Sequence, residues 1–124
     1  MVLMHKLTYQ EVIAINKRLG EEGVIQNSNL EFIMDTAKDI EDQFGYATVL
    51  LYEIPRAHSF LNGNKRTGFF SFIAFIKMND YKLRKEPASR DKIVRTMNEI
   101  ALGRAKKSRV ERLVKELMVV EEMA

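Results

Sequence analysis

Apolar positions recur every three or four residues along nearly the whole chain, which is the spacing of amphipathic helices. Three Ser/Thr-x-x-Glu capping boxes, at Thr8–Glu11, Ser28–Glu31 and Ser108–Glu111, mark predicted helix starts. Gly45 is predicted to end the second helical run, and Pro55 to kink or end the third because proline lacks the N–H that continues a helix. No alternation of period two persists, so the pattern predicts an all-α fold.

The segment from Lys65 to Asn79 differs from the other helices because apolar side chains surround its axis almost completely. A helix that is apolar on all sides is buried among others. We therefore predict an all-α bundle, one domain over residues 1–124, around a buried central helix at about 65–79. A short extended piece from Tyr81 to Glu86 allows a small flap hairpin, and Ser89 is predicted to cap the helix that follows it.

Length and composition narrow the class of protein. A chain of 124 residues with 46% hydrophobic and 30% charged residues is typical of one globular domain. The absence of Cys excludes a disulfide scaffold, a thiolate zinc site and a Cys nucleophile, and two histidines exclude a multi-His metal site. The longest nearly apolar run, Phe69 to Ile76, is too short to span a bilayer, and Met1 to Leu7 has no signal-peptide pattern. We therefore expect no membrane partner and a cytoplasmic location.

Charge is distributed unevenly along the chain. Residues 1–53 carry 4 basic and 9 acidic side chains, whereas residues 54–124 carry 16 and 8. The basic half either binds an anion, such as a phosphate, a nucleotide, nucleic acid or an acidic protein, or is simply the solvated face of basic helices. No aromatic-rich basic stripe accompanies the charge, so nucleic acid is not the expected partner.

One polar segment, residues 58–68, interrupts the helical pattern just before the central helix. The start of a helix offers unpaired N–H groups and the positive end of the helix dipole, which together favour phosphate. Gly63 allows the backbone to approach a ligand closely, and Asn64 is predicted to cap the helix. The alternative for Asn62 and Gly63 is an ordinary turn.

The charged residues of this segment point to the same chemistry. Lys65 and Arg66 fall in the first helical turn, where cations are unfavourable unless an anion offsets the repulsion. The planar fork of Arg66 suits phosphate oxygens. His58 is of a residue type that suits general base catalysis on a hydroxyl, although a histidine after a helix is also a common surface residue.

The run His58-Ser-Phe-Leu-Asn-Gly-Asn-Lys-Arg-Thr67 resembles the signature of the Fic superfamily, His-x-Phe-x-(Asp/Glu)-Gly-Asn-x-Arg-x-x-Arg. It resembles most the death-on-curing (Doc) branch, which ends in Asn-Lys-Arg-Thr. Residues 7–13, 29–35 and 75–83 resemble further parts of Doc, so the resemblance extends along nearly the whole chain. It implies a helical enzyme that moves part of a nucleotide onto a protein hydroxyl. Fic proteins commonly transfer AMP, whereas Doc, the toxin of a toxin–antitoxin pair, phosphorylates a threonine of a translation elongation factor.

The resemblance also implies roles for individual residues. His58 would be the base, Arg66 would bind phosphate, and Gly63, Asn64 and Lys65 would complete the phosphate-binding loop. The implied cofactors are ATP, or another nucleotide, and Mg²⁺. The sequence contains no Ser/Thr-x-x-x-Glu-(Gly/Asn) inhibitory motif of the kind that holds many Fic proteins inactive. The implied partners are therefore a protein substrate, such as a translation elongation factor, and a separate antitoxin chain.

Two positions depart from the family pattern. Phe69 replaces the final Arg, which in AMP-transferring members holds the terminal phosphates; Doc lacks this Arg as well. Asn62 replaces the carboxylate that binds magnesium, and a neutral amide oxygen binds a hard cation less tightly. Either phosphates and water hold the metal, or another carboxylate helps, or activity is weak. The sequence thus predicts a Doc-like protein kinase, with AMP transfer or a catalytically weak nucleotide- or partner-binding module as alternatives.

Overall fold

Six helices and two short strands make up the part of the chain that the structure describes. The computed structural model describes residues 4–21 and 27–121, with the backbone alone at residues 27 and 28. In chain order, the elements are α1 (Tyr9–Arg18), α2 (Asn27–Ala37), α3 (Gln43–Ala57), α4 (Asn64–Met78), β1 (Tyr81–Leu83), α5 (Pro87–Ala101), α6 (Lys107–Leu117) and β2 (Met118–Val120). The predicted all-α bundle is confirmed. Within the described ranges, no helix is both long and apolar enough to cross a membrane.

Helix α4 lies at the centre of the bundle, one residue earlier at each end than the predicted 65–79. It packs against α1, α3 and β1. Its side chains Phe72 and Phe75 are completely buried, and the ring of Phe75 lies 4.6 Å from the ring of Tyr46 in α3. The helix is not buried on every side, because Phe70 remains 42% exposed. The aromatic residues that predicted a central helix therefore form one buried face and one partly exposed face.

Tyr46 joins this core to the segment that precedes α1. Its hydroxyl accepts a hydrogen bond from the backbone N–H of Leu7 at 3.0 Å and donates one to the Leu7 carbonyl at 3.2 Å. Burial raises the pKa of the Tyr46 hydroxyl above its ordinary value, which favours its neutral form. Only this neutral form carries the proton that is donated to the Leu7 carbonyl.

Helices α3 and α4 approach each other closely near the loop that joins them. A Cβ on Gly68 would lie 2.7 Å from Cγ and Cδ of Pro55 and 3.2 Å from the carbonyl oxygen of Leu50. Of the two alternatives predicted for Pro55, a kink or an end of the helix, the end at Pro55 is wrong, because α3 continues to Ala57. The helix stops two residues after the proline, and the pyrrolidine ring packs where Gly68 leaves space.

Capping determines where the first and third helices begin. Thr8 and Glu11 form the predicted capping box of α1. The backbone N–H of Glu11 donates to Oγ1 of Thr8 at 3.2 Å, and the backbone N–H of Thr8 donates to Oε1 of Glu11 at 2.9 Å. The prediction that Gly45 ends a helix is wrong, because α2 ends at Ala37 and Gly45 lies inside α3, after the N-cap Asp42. The carboxylate of Asp42 caps α3 by accepting from the N–H groups of Phe44 and Gly45.

The remaining predicted caps are not at helix starts. Helix α5 begins at Pro87, a residue favoured in the first helical position, so Ser89 lies inside the helix. Helix α6 begins at Lys107, one residue before the predicted Ser108 cap, and no side chain caps either helix. Helix α2 begins before Ser28, whose side chain lies outside the described residues.

The extended piece predicted from Tyr81 to Glu86 is confirmed in part by β1, but it does not form a hairpin. Strand β1 pairs antiparallel with β2, which follows α6, so that Tyr81 lies opposite Val120 and Leu83 opposite Met118. This pairing brings the end of α6 back to the end of α4. It thereby joins α6 to the strand that follows the central helix.

Candidate functional site

The loop between α3 and α4 carries the predicted site residues, and a residue with left-handed backbone lies at each end of it. His58 is the C-cap of α3, with φ 50° and ψ 40°, and Gly63 is the N-cap of α4, with φ 77°. Histidine adopts this conformation more readily than most residues other than glycine. His58 is exposed, and its imidazole has no hydrogen-bond partner among the described residues. The ring is therefore open to an incoming substrate.

Phe60 anchors the loop in the core, with 1% of its surface exposed. Its backbone N–H donates to Oδ1 of Asn64 at 3.1 Å, and its carbonyl accepts from Nδ2 of Asn64 at 2.9 Å. The prediction that Asn64 caps α4 is wrong, because Asn64 is the first residue of the helix. The side chain of Asn64 bonds to the backbone of Phe60 and does not cap the helix. The backbone N–H of Asn64 therefore remains available to a phosphate.

No side chain caps the start of α4. Gly63 occupies the N-cap position and offers no side chain that caps the helix. The backbone N–H of Thr67 donates to the Gly63 carbonyl at 2.8 Å, which is the first helical hydrogen bond. The N–H groups of Asn64, Lys65 and Arg66 precede it and lack intrahelical partners. Together with the helix dipole, they form a site suited to phosphate.

Glu21, a residue that sequence reasoning missed, covers this helix start. Its Oε1 is ion-paired with Nη2 of Arg66, and a Cβ on Gly63 would lie 2.8 Å from its Cγ. The Glu21 side chain is 16% exposed and that of Arg66 is 54% exposed. A carboxylate thus lies beside Arg66 and Gly63, two of the four residues predicted to bind phosphate.

Asn16 is the second residue that sequence reasoning missed. It is completely buried on α1, where its Nδ2 donates to the carbonyl oxygen of Asn62 at 3.2 Å and to Oγ1 of Thr67 at 2.9 Å. These bonds fix the loop and the first turn of α4 to α1. The available signal was a polar residue one turn after Val12 on the apolar face of a helix, since buried asparagine is uncommon.

An apolar groove of about 460 Å³ opens beside the helix start, between α4 and α5. Lys65 and Arg66 lie at its edge, and Nζ of Lys65 donates to Oδ1 of Asn98 at 2.9 Å. The apolar side chains that line it are Phe69, Leu83, Ile93, Val94 and Met97. A flat apolar group would fit here next to the cations.

The described residues offer few ligands to a metal ion. Asn62, at the position that the resemblance assigns to magnesium, is exposed. Within the described ranges, no three His, Cys, Asp or Glu side chains are grouped as a metal site. Magnesium often takes one or two oxygens from a protein and the rest from phosphates and water. The residues present therefore fit a nucleotide-held magnesium with Asn62 as a ligand, and do not fit a metal held by protein alone.

The structure brings His58, Asn62, Gly63, Lys65 and Arg66 together on one loop and helix start, as their spacing predicted. A model of the Fic/DOC family matches residues 6–76, more than half of the chain, from the segment before α1 into α4. No curated protein matches the chain. Members of this family generally transfer nucleotide-derived groups to proteins. Since the match covers α1, α2, α3, the whole loop and most of α4, the chain belongs to the Fic/DOC family.

Proposed function

We propose that this protein is a Doc-like member of its family, which transfers the terminal phosphoryl group of ATP to a hydroxyl of a target protein. A translation factor is the proposed target, and the protein is proposed to act as the toxin of a toxin–antitoxin pair. The observation that carries the proposal is the start of α4, which has no side-chain cap, follows the loop that begins at exposed His58, and adjoins an apolar groove.

The groove and the start of α4 bind different parts of ATP. The apolar side chains of the groove pack against adenosine, while the N–H groups at the start of α4 and the Arg66 guanidinium bind phosphate. Lys65 is held toward the same groove by its bond to Asn98. A magnesium ion, when bound, offsets charge on the phosphates, with Asn62 contributing an amide oxygen.

His58 is proposed to remove the proton from the target hydroxyl. The hydroxyl oxygen then forms a bond to the terminal phosphorus, and the bond from that phosphorus to the bridging oxygen breaks, so ADP leaves. The positive end of α4 and Arg66 stabilise the charge on the transferring group. A general base of this kind contributes typically about 10²–10⁴-fold to the rate.

Phe69 favours phosphoryl transfer over AMP transfer. Its ring lines the apolar groove, at the position where AMP-transferring relatives have an arginine for the leaving diphosphate. An apolar ring cannot bind that group, so the nucleotide is better placed with its terminal phosphate at α4. AMP transfer to a protein hydroxyl is the alternative activity, and Arg90, which also lines the groove, is the cation it would use.

A catalytically weak binding module is the other alternative. Asn62 lacks the negative charge of the carboxylate that a hard cation prefers. The Arg66 guanidinium is already ion-paired with the carboxylate of Glu21. In that case the protein would bind a nucleotide or a partner chain without efficient chemistry.

Labelled ATP distinguishes these functions. The wild-type protein and His58→Ala are incubated with Mg²⁺, a cell extract from the source organism, and ATP labelled in either the terminal or the α-phosphate. Terminal label on a protein, lost with His58→Ala, is the expected result. Transfer of the α-label would replace the proposal with AMP transfer. Transfer of neither label, with ATP still raising the melting temperature, would indicate the binding module.

A further inference from the structure

A second cationic cleft lies between α5 and α6, away from the loop of residues 58–66. Its cavity is about 260 Å³ and is lined by four cations: Lys92 and Arg95 from α5, and Arg109 and Arg112 from α6. One lining residue, Glu116, is acidic, and it is already paired with Lys92 at 2.8 Å. We call the remaining three residues, Arg95, Arg109 and Arg112, the arginine cleft.

The three guanidinium groups of the arginine cleft lack counter-charges. Among the described residues, none of them forms an ion pair or a side-chain hydrogen bond. By contrast, Lys115 on α6 forms an ion pair with Glu111 at 3.3 Å. Like charges that line one small cavity repel each other, and an anion between them removes that repulsion.

The arginine cleft and the groove beside α4 lie on different faces of α5. Successive residues of a helix are about 100° apart, so Val94 and Met97 face the groove while Arg95 and Thr96 face α6. The two cavities share no lining residue. A ligand in the arginine cleft would therefore leave the nucleotide site free.

The chemistry of the cleft and its surroundings indicates a phosphate chain. Planar guanidinium groups match the oxygens of a phosphate in pairs. Exposed cations continue past the cleft at Arg104, Lys106 and Lys107, which lead into α6. Residues 82–116 as a whole have 12 basic and 5 acidic side chains. We propose that the arginine cleft binds the phosphate groups of a chain polyanion, either an RNA backbone or polyphosphate, without recognising bases.

Binding of a labelled 12-nucleotide oligouridine, measured by fluorescence anisotropy, tests this proposal. The variant Arg109→Gln/Arg112→Gln should bind at least tenfold more weakly than wild type. The matched control Lys82→Gln/Lys85→Gln loses the same charge from another surface and should change affinity less than twofold. If two phosphate contacts are lost, the slope of log affinity against log salt should flatten by about 1.4. Circular dichroism melts establish that each variant is folded.

Competition identifies the source of the phosphate. Displacement of the RNA by polyphosphate supports a free polyphosphate ligand, and bound RNA that resists polyphosphate supports the RNA backbone. Equal weakening in the two double variants would overturn the proposal, because diffuse charge would then explain binding. Displacement by polyglutamate as strong as that by polyphosphate, or a wild type that binds neither RNA nor polyphosphate by calorimetry, would overturn it as well. His58→Ala should bind RNA like wild type, so failure of the transfer activity leaves this test intact.

Discussion

Replacing Glu21 with Gln should increase the affinity of the protein for ATP. The Glu21 carboxylate is ion-paired with Arg66 and lies against Gly63 at the start of α4. A phosphate that binds there must break this pair and then remain close to a second negative charge. The substitution keeps the shape of the side chain and removes both obstacles.

The size of the effect follows from the exposure of the pair. Because Arg66 is 54% exposed, the ion pair contributes about 1 kcal/mol, the upper end for exposed pairs. Repulsion between the carboxylate and a phosphate about 4 Å away adds about 1 kcal/mol in water. Breaking the pair alone corresponds to about fivefold in affinity, and both effects together to about thirtyfold. We expect an increase within this range, smaller at high salt.

Isothermal titration calorimetry with ATP, with and without Mg²⁺, measures this change. Glu111→Gln is the matched control, because it removes the same charge from a pair with Lys115 on α6. The control should leave the ATP affinity unchanged. An ATP affinity that falls for Glu21→Gln in Mg²⁺, but not in a chelator, would refute the reasoning, because Glu21 would then be a metal ligand and not a competitor of phosphate.

Three further substitutions test the site and the fold. His58→Ala should lower transfer of labelled phosphate about 10²–10⁴-fold and leave the ATP-induced melting shift intact; undiminished transfer would make His58 structural. Asn16→Ala should lower the free energy of unfolding by about 1–3 kcal/mol in urea, because it removes the donor to Asn62 and Thr67; an unchanged value would mean that water replaces these bonds. Phe72→Ala should lower it by about 3–5 kcal/mol and exposed Phe70→Ala much less, and equal losses would contradict the central position of α4.

The features that the sequence predicted are encoded by residues close together in the chain. The aromatic residues of α4 indicated a buried helix without knowledge of its neighbours, and the candidate site from His58 to Arg66 is one continuous segment. The anion site follows from the same segment, since a helix start positions its own N–H groups, and it stays a prediction.

The features that it missed depend on contacts between distant segments. Glu21 and Asn16 reach Arg66 and Thr67 from α1 and the residues after it, and no periodicity connects these positions. The pairing of β1 with β2 is equally remote, and three-residue strands leave no alternating pattern. More than one residue near a helix start fits the sequence rules, and α5 begins at Pro87, a residue favoured in the first helical position, and not after Ser89.

Backbone amide NMR during an ATP titration tests most directly the central claim that the nucleotide binds at the start of α4. We predict the largest chemical-shift changes at the N–H groups of Gly63, Asn64, Lys65 and Arg66. ATP that binds while the Gly63–Arg66 amides stay unshifted would contradict the claim and place the nucleotide elsewhere on the protein.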